Sequence, residues 1–252
     1  MISGEAPQTE EFIRKVCKAF REALDLMEID APQTANLIIE SWIQYFVRWK
    51  GRRVVGFENP EDIAVKLLAD SFAISYAAGD ICPLRTLDIG SGNGWPGLAV
   101  KALFPDAHVT LLDSRKGSCD FMKGYIETAG LSGVEVLEAR AEEVAHVSSQ
   151  REQYSLVTSR AVADPPVCLE LSTGFLKQGG QVALWVGPGQ KFPKEADCLV
   201  KFGLRHLFTH GYCLPHGMGD RLLVLYLKES FIEEDIPRSY ASIKGASRKS
   251  PQ

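Results

Sequence analysis

Three glycines separated by single residues, in Asp88-Ile-Gly90-Ser-Gly92-Asn-Gly94, follow a short apolar run and precede a helical pattern that opens near Gly97. A chain passing from strand to helix through so few residues must turn sharply, and glycine supplies that freedom while letting a ligand approach the main chain. Asp113 closes the next apolar run, Val109-Thr110-Leu111-Leu112-Asp113. A carboxylate there can accept both hydroxyls of a ribose, although a helix N-cap is an alternative role for the same residue. After the third run, Ala139-Arg140-Ala141-Glu142 can set a backbone amide and Glu142 beside an adenine edge. The fourth run closes over Tyr154–Arg160, where substrate-facing residues of open sheets lie.

The glycine spacing is G-x-G-x-G with an acid two positions before the first glycine, whereas the dinucleotide fingerprint is G-x-G-x-x-G. Gly97 could count as a late third glycine, but Pro96 fits poorly inside a phosphate-binding turn. S-adenosyl-L-methionine has no phosphate and so makes less use of a helix N-terminus. The expected ligand is therefore S-adenosyl-L-methionine, held by Gly90, Gly92, Gly94 and Asp113, and the expected activity is methyl transfer.

The elements that must position these residues show as alternating texture. Apolar spacing predicts an amphipathic helix over Glu11–Leu26, an aromatic-rich helix over Pro32–Trp49 that packs on the main core, and a helix opened by Asn59-Pro60-Glu61-Asp62 and running through Val65, Leu68 and Phe72. After Pro83, strands are expected at Arg85–Ile89, His108–Asp113, Val134–Ala139, Tyr154–Ser159, Gln181–Val186, Arg205–Tyr212 and Leu222–Leu227, with helices opening near Gly97, Ser118, Asp164 and Lys194. The fold class is α/β, a Rossmann-like class I methyltransferase sheet of seven mostly parallel strands whose last strand is antiparallel, plus an N-terminal helical extension. Residues 1–80 form that extension, 81–230 the cofactor-binding core and 231–252 a basic C-terminal tail.

With 252 residues, 45% of them apolar and 24% charged, the chain suits one large core and not two. The first ten residues lack the basic start and apolar stretch of a secretory signal, and no run reaches the length of a membrane helix, so a soluble, cytoplasmic protein is expected. Six scattered cysteines without a C-x-x-C pair read as reduced thiols. His206 and His210, with Cys213 and His216 nearby, would approach a metal cluster only on a helix, and this stretch reads as strand, so no metal is expected. The net charge of −4 argues weakly against a uniformly basic nucleic-acid binder, yet Arg48, Lys50, Arg52 and Arg53 form one basic cluster and Arg238, Lys244, Arg248 and Lys249 another.

Four segments in order, Leu87-Asp-Ile-Gly-Ser-Gly-Asn-Gly-Trp-Pro-Gly97, Thr110-Leu-Leu-Asp-Ser114, Ala139-Arg-Ala-Glu-Glu143 and Thr158-Ser-Arg-Ala-Val-Ala163, resemble the RsmG (GidB) family, which methylates N7 of a guanine in small-subunit ribosomal RNA. Tyr45-Phe-Val-Arg-Trp49, Leu67-Leu-Ala-Asp-Ser71 and Ile236-Pro237-Arg238 extend the resemblance weakly to both ends. It implies Gly90, Trp95, Ala141, Glu142 and Arg160 as cofactor contacts, and small-subunit (16S) ribosomal RNA or an assembled small ribosomal subunit as partner. Arg160, at the mouth of the sheet, is the residue expected to position the reactants in catalysis, and a monomer is the default expectation. The chain departs from the family at Arg53-Val-Val-Gly-Phe57, Val65-Lys66 and Trp185-Val-Gly187, positions expected to face RNA. Competing readings are methylation of a small molecule or another RNA, a dinucleotide oxidoreductase, and a non-catalytic RNA-binding module.

Overall fold

The computed structural model describes residues 6–247, with the side chains of residues 6, 7, 197, 198 and 244–247 excepted. Arg248 and Lys249, and the side chain of Lys244, lie outside the described residues.

α1 (Ala6–Leu26) and α2 (Gln33–Arg48) are followed by one continuous helical run that changes pitch: α3 (Pro60–Asp62), a π-helical stretch (Ile63–Ala69), α4 (Asp70–Phe72) and a 3-10 turn (Ala73–Ala77). Asn59 caps it, its Oδ1 accepting the Asp62 amide at 2.7 Å. Seven strands follow: β1 (Arg85–Ile89), β2 (His108–Asp113), β3 (Val134–Glu138), β4 (Tyr154–Arg160), β5 (Leu176–Val186), β6 (Leu204–Leu214) and β7 (Gly219–Lys228). Their order is β3-β2-β1-β4-β5-β7-β6, parallel except for β7, which runs antiparallel between β5 and β6. This is the Rossmann-like methyltransferase sheet. The order reverses between β1 and β4, where ligand crevices open in such sheets.

Helices cover both faces. On one, α1, α2, the pitch-changing run, α5 (Gly97–Leu103) and α6 (Lys116–Ala129) bury Phe20, Trp42, Ile43, Leu68 and Phe72 with Leu98, Leu111 and Leu225 in one cluster. On the other, α7 (Ala141–Val144), α8 (Pro165–Thr173), α9 (Ala196–Leu199) and α10 (Tyr240–Ser247) cover Leu87, Val157, Leu184 and Tyr226. Because α1 and α2 share a core with the strands, removing them would expose one face of the sheet.

β5 begins five residues before the apolar run Gln181–Val186. Leu176 already pairs with Tyr154, and an irregularity then resets the register at Leu156–Gln181, where the expected strand begins. Trp42, fully buried, packs on Phe46, Trp95 and Phe121, so the aromatic content of α2 belongs to the core. His206 and His210 lie on β6, His210 stacked on Tyr76, and no metal-ligating group of three occurs among the described residues. No described helix is long and apolar enough to cross a membrane.

Candidate active site

The glycine loop is shaped by hydrogen bonds that consume its own amides. Gly90 and Ser91 N–H both donate to the Leu112 carbonyl at 2.8 and 3.0 Å, Gly94 N–H to Ser91 O at 2.8 Å, and Gly92 N–H to Asp113 Oδ2 at 2.9 Å. The start of α5 is equally occupied: Gly97 N–H donates to Asp88 Oδ2 at 3.1 Å, and Leu98 N–H to Gly94 O at 2.8 Å. A pyrophosphate would find few free donors in this turn, which separates it physically from a dinucleotide loop. From the helical side, Trp42 Nε1 donates to Asn93 O at 3.0 Å and Asn93 Nδ2 to Val54 O at 3.3 Å, pinning the loop to α2 and to the segment after it.

Asp88 is the buried post beneath the turn. Its Oδ1 accepts the Thr158 hydroxyl at 2.7 Å and its Oδ2 the Gly97 amide. Burial pushes its carboxyl up to about 6, against the opposing pull of the Thr158 bond. Gly90 has φ +69°, and a Cβ there would stand 2.4 Å from Val162 Cγ2, so the loop can lie this close to the segment that follows β4 only with glycine.

Two clefts meet at this loop. The first, of about 320 Å³, is lined by Gly90, Asp113, Arg115, Ala141, Glu142 and Val162 among others. The second, of about 510 Å³, includes Gly92, Trp95, Arg160, Trp185 and Phe57 in its walls. Gly90, Arg115 and Ala161 belong to both. Of the residues singled out from sequence, Gly90, Asp113, Ala141 and Glu142 therefore face the first cleft, and Gly90, Gly92, Trp95 and Arg160 the second. Gly94 lines neither; at φ +99° it turns toward Leu98 and Leu111.

Asp113, 4% exposed, does not cap α6, which starts at Lys116. Both its oxygens are engaged: Oδ1 accepts Arg115 N–H at 2.8 Å and Nε at 3.2 Å, while Oδ2 accepts Arg115 Nη2 at 3.2 Å besides Gly92. The Arg115 side chain is 70% exposed and is the partner that can yield.

Arg160, at the end of β4, is held by the pitch-changing helix. Its Nη1 donates to Asp70 Oδ2 at 2.9 Å and to Leu67 O at 3.1 Å. Asp70 also accepts the Tyr212 hydroxyl at 2.7 Å on Oδ1 and, through its carbonyl, Trp185 Nε1 at 2.7 Å. Burial, reinforced by the Asp70 charge, pushes the Tyr212 phenol far above its ordinary value, so it remains a donor. Trp185 was named only as a departure from the family pattern and Asp70 only within the segment Leu67-Leu-Ala-Asp-Ser71, while Tyr212 was not singled out; the local signal for Asp70 was an acid inside an apolar segment. The positions departing from the family pattern converge here: Val54, Phe57, Lys66, Trp185 and Gly187 all line the second cleft, and Lys66 Nζ sits 5.8 Å from the centre of the Phe57 ring.

Trp95 Nε1 is buried with no hydrogen-bond partner, an unspent donor on a ring lining the second cleft. Together with the Asp113 carboxylate and the combined size of the clefts, it fits a nucleoside carrying polar substituents at both ends, with no phosphate between.

Sheet order and loop position define the Rossmann-like fold of the class I S-adenosylmethionine-dependent methyltransferases. Solved structures share the fold: an O-methyltransferase predicted for Agrobacterium tumefaciens, with TM-score 0.50 and 22% identity over 65% of this chain and 83% of that one, and the [4+2]-cyclase SpnF, with TM-score 0.50 and 12% identity over 65% and 82%. The cyclase illustrates that the fold alone does not fix the chemistry. The family model for GidB, rRNA small subunit methyltransferase G, matches residues 36–197. Proteins named ribosomal RNA small subunit methyltransferase G from Mesoplasma florum and Carboxydothermus hydrogenoformans are 36% and 33% identical, over 76% and 71% of this chain and 80% and 76% of theirs. The chain belongs to the rRNA small subunit methyltransferase G family.

Proposed function

We propose that the chain transfers the methyl group of S-adenosylmethionine to N7 of a guanine in 16S (small-subunit) ribosomal RNA, acting as a cytoplasmic monomer on the RNA or on the assembled small subunit. The observation that carries this reading is the junction of the two clefts at Gly90, Arg115 and Ala161, which offers one site for a nucleoside cofactor and an adjoining one for a base. Asp113 takes the ribose hydroxyls as Arg115 swings away, Ala141 and Glu142 border the adenine, and Gly90, Gly92 and Trp95 wall the methionine end.

When bound, the cofactor supplies an electrophilic sulfonium methyl. Guanine N7 carries a free in-plane lone pair, so the chain needs no general base; its residues orient and desolvate the two reactants, an effect of roughly 7–11 kcal/mol at best. Arg160 suits this task because its charge is already matched by Asp70, so it presents donors without adding net repulsion toward a cationic methyl group. A base must be splayed from its stack to enter, as RNA-recognising proteins favour.

Phosphate contacts would come from Arg52, Arg115 and Lys116, which line an adjoining cleft with Trp49. Arg53 is less available, since its guanidinium is spent on Val55 O, Gly56 O and Glu58. Phe57, Lys66 and Trp185 in the acceptor cleft favour a second reading, in which another RNA or a small molecule is methylated. Transfer of labelled methyl groups to naked small-subunit RNA and to assembled subunits tests the proposal: label in at least one form supports it, and label in neither overturns it.

A further inference from the structure

We propose that Tyr240, on the C-terminal helix α10, forms a wall of the adenine subsite and packs its ring against the cofactor's base, and that the Arg238–Glu170 pair positions it there. The proposal rests on placing the adenosine in the first cleft, and adds to that site a residue from beyond residues 36–197, the span that the family model matches.

Tyr240 lines the cleft of Asp113, Ala141 and Glu142, and packs with Ala139, Ala141 and Val162 on the core beneath it. It is separated from β7 by a stretch that would be free to wander if it were only a basic tail. Instead this stretch is strapped down. Glu170 on α8, its side chain 2% exposed, takes Arg238 in a bidentate grip: Oε1 accepts the backbone N–H at 3.1 Å and Nε at 2.7 Å, and Oε2 accepts Nη2 at 2.6 Å. Burial alone would raise the Glu170 carboxyl, but the Arg238 bonds outweigh it and hold it below its ordinary value. Arg151 Nη1 donates to Ile236 O at 2.8 Å, a ring nitrogen of His146 lies 2.8 Å from Pro237 O, and Ile236 and Ile243 are buried on either side of Tyr240.

An ion pair with a nearly buried carboxylate is a costly way to end a chain, because losing either partner strands the other. Its geometric effect here is specific: it fixes the backbone two residues before Tyr240 and thereby the side on which the ring falls. A planar ring in that wall matches a planar base, and stacking of this kind changes base affinity by about tenfold to a hundredfold on truncation to alanine.

Calorimetry with S-adenosylmethionine and S-adenosylhomocysteine tests this on the full chain. Tyr240→Ala and Tyr240→Leu should each weaken both ligands by about tenfold or more, and Tyr240→Phe should recover most of the loss. Arg238→Ala, which acts only through position, should raise KM for S-adenosylmethionine in the methyl-transfer assay, with the loss falling on KM and not on kcat. Wild-type affinity in Tyr240→Ala would overturn the proposal, as would wild-type affinity in Tyr240→Leu, which would reduce the ring to filler. A wild-type chain that binds neither ligand would overturn the cofactor placement itself, and this inference with it.

Discussion

Arg160 and Asp70, ninety residues apart in sequence, meet at 2.9 Å and join the end of β4 to the helix that precedes the sheet. The same carboxylate holds Tyr212, and the Asp70 carbonyl holds Trp185, so one residue ties β4, β5 and β6 together at the second cleft. The π-helical stretch just before Asp70 has a practical effect: the Leu67 carbonyl accepts both the Ser71 hydroxyl at 2.6 Å and Arg160.

Arg160→Ala leaves a nearly buried carboxylate with only the tyrosine hydroxyl. It should cost about 3 kcal/mol of stability and lower kcat by roughly a hundredfold. Arg160→Lys should restore stability in part and activity little, because a single ammonium cannot grip Asp70 and still present a planar second donor. Denaturant melts and single-turnover methyl transfer on each variant check both effects.

Arg115 and an incoming ribose compete for Asp113. Asp113→Ala should weaken S-adenosylmethionine binding by roughly tenfold to a hundredfold, through lost ribose bonds and a loosened Gly92 turn. Arg115→Ala should leave affinity unchanged or tighten it a few-fold, because a competitor is removed. Titration calorimetry decides, and a large loss of cofactor affinity in Arg115→Ala would show that Arg115 holds the cofactor directly.

Gly90→Ala forces a methyl carbon to within 2.4 Å of Val162 Cγ2 at a backbone angle that side chains resist. The expected loss is about 1–3 kcal/mol of stability and all measurable cofactor binding. Gly90→Ala paired with Val162→Ala should regain part of the stability, which thermal denaturation of the single and double variants checks.

Burial raises the Asp88 carboxyl from 3.8 to about 6, so the folded chain holds that proton more tightly than the unfolded chain does. The group's stabilising contribution is full below 3.8 and is lost as pH rises through about 6. The loss is roughly 3 kcal/mol. Asp88→Asn, which can keep both partners by turning its amide toward Thr158, should flatten this part of the stability profile. Urea unfolding across that pH range measures the slope.

Much of this was legible in sequence because it is local. β1 and β2 coincide with their apolar runs, and the loop from Gly90 to Gly94 carries its geometry in its spacing. Asp113 was legible as the acid that closes β2, which lines the first cleft, but not as one already held by its neighbour Arg115. The Asp70–Arg160–Tyr212 cluster was not legible, because it closes over separations of 90 and 142 residues that no local pattern encodes. Tyr240 was hidden by its surroundings: the basic residues of the last segment suggest a solvated tail, whereas Glu170, Arg151 and His146, all distant in sequence, strap the segment to the core.

The central claim is the atom that receives the methyl group. N7-methylated guanine is opened by borohydride and the strand is then cut by aniline, so small-subunit RNA treated with the protein and S-adenosylmethionine can be mapped by primer extension. A single new cleavage at one guanine, absent without cofactor and formed much more slowly with Arg160→Ala, is the predicted result. Methyl label in the RNA without any borohydride-dependent cleavage would place the group on another atom and contradict the account.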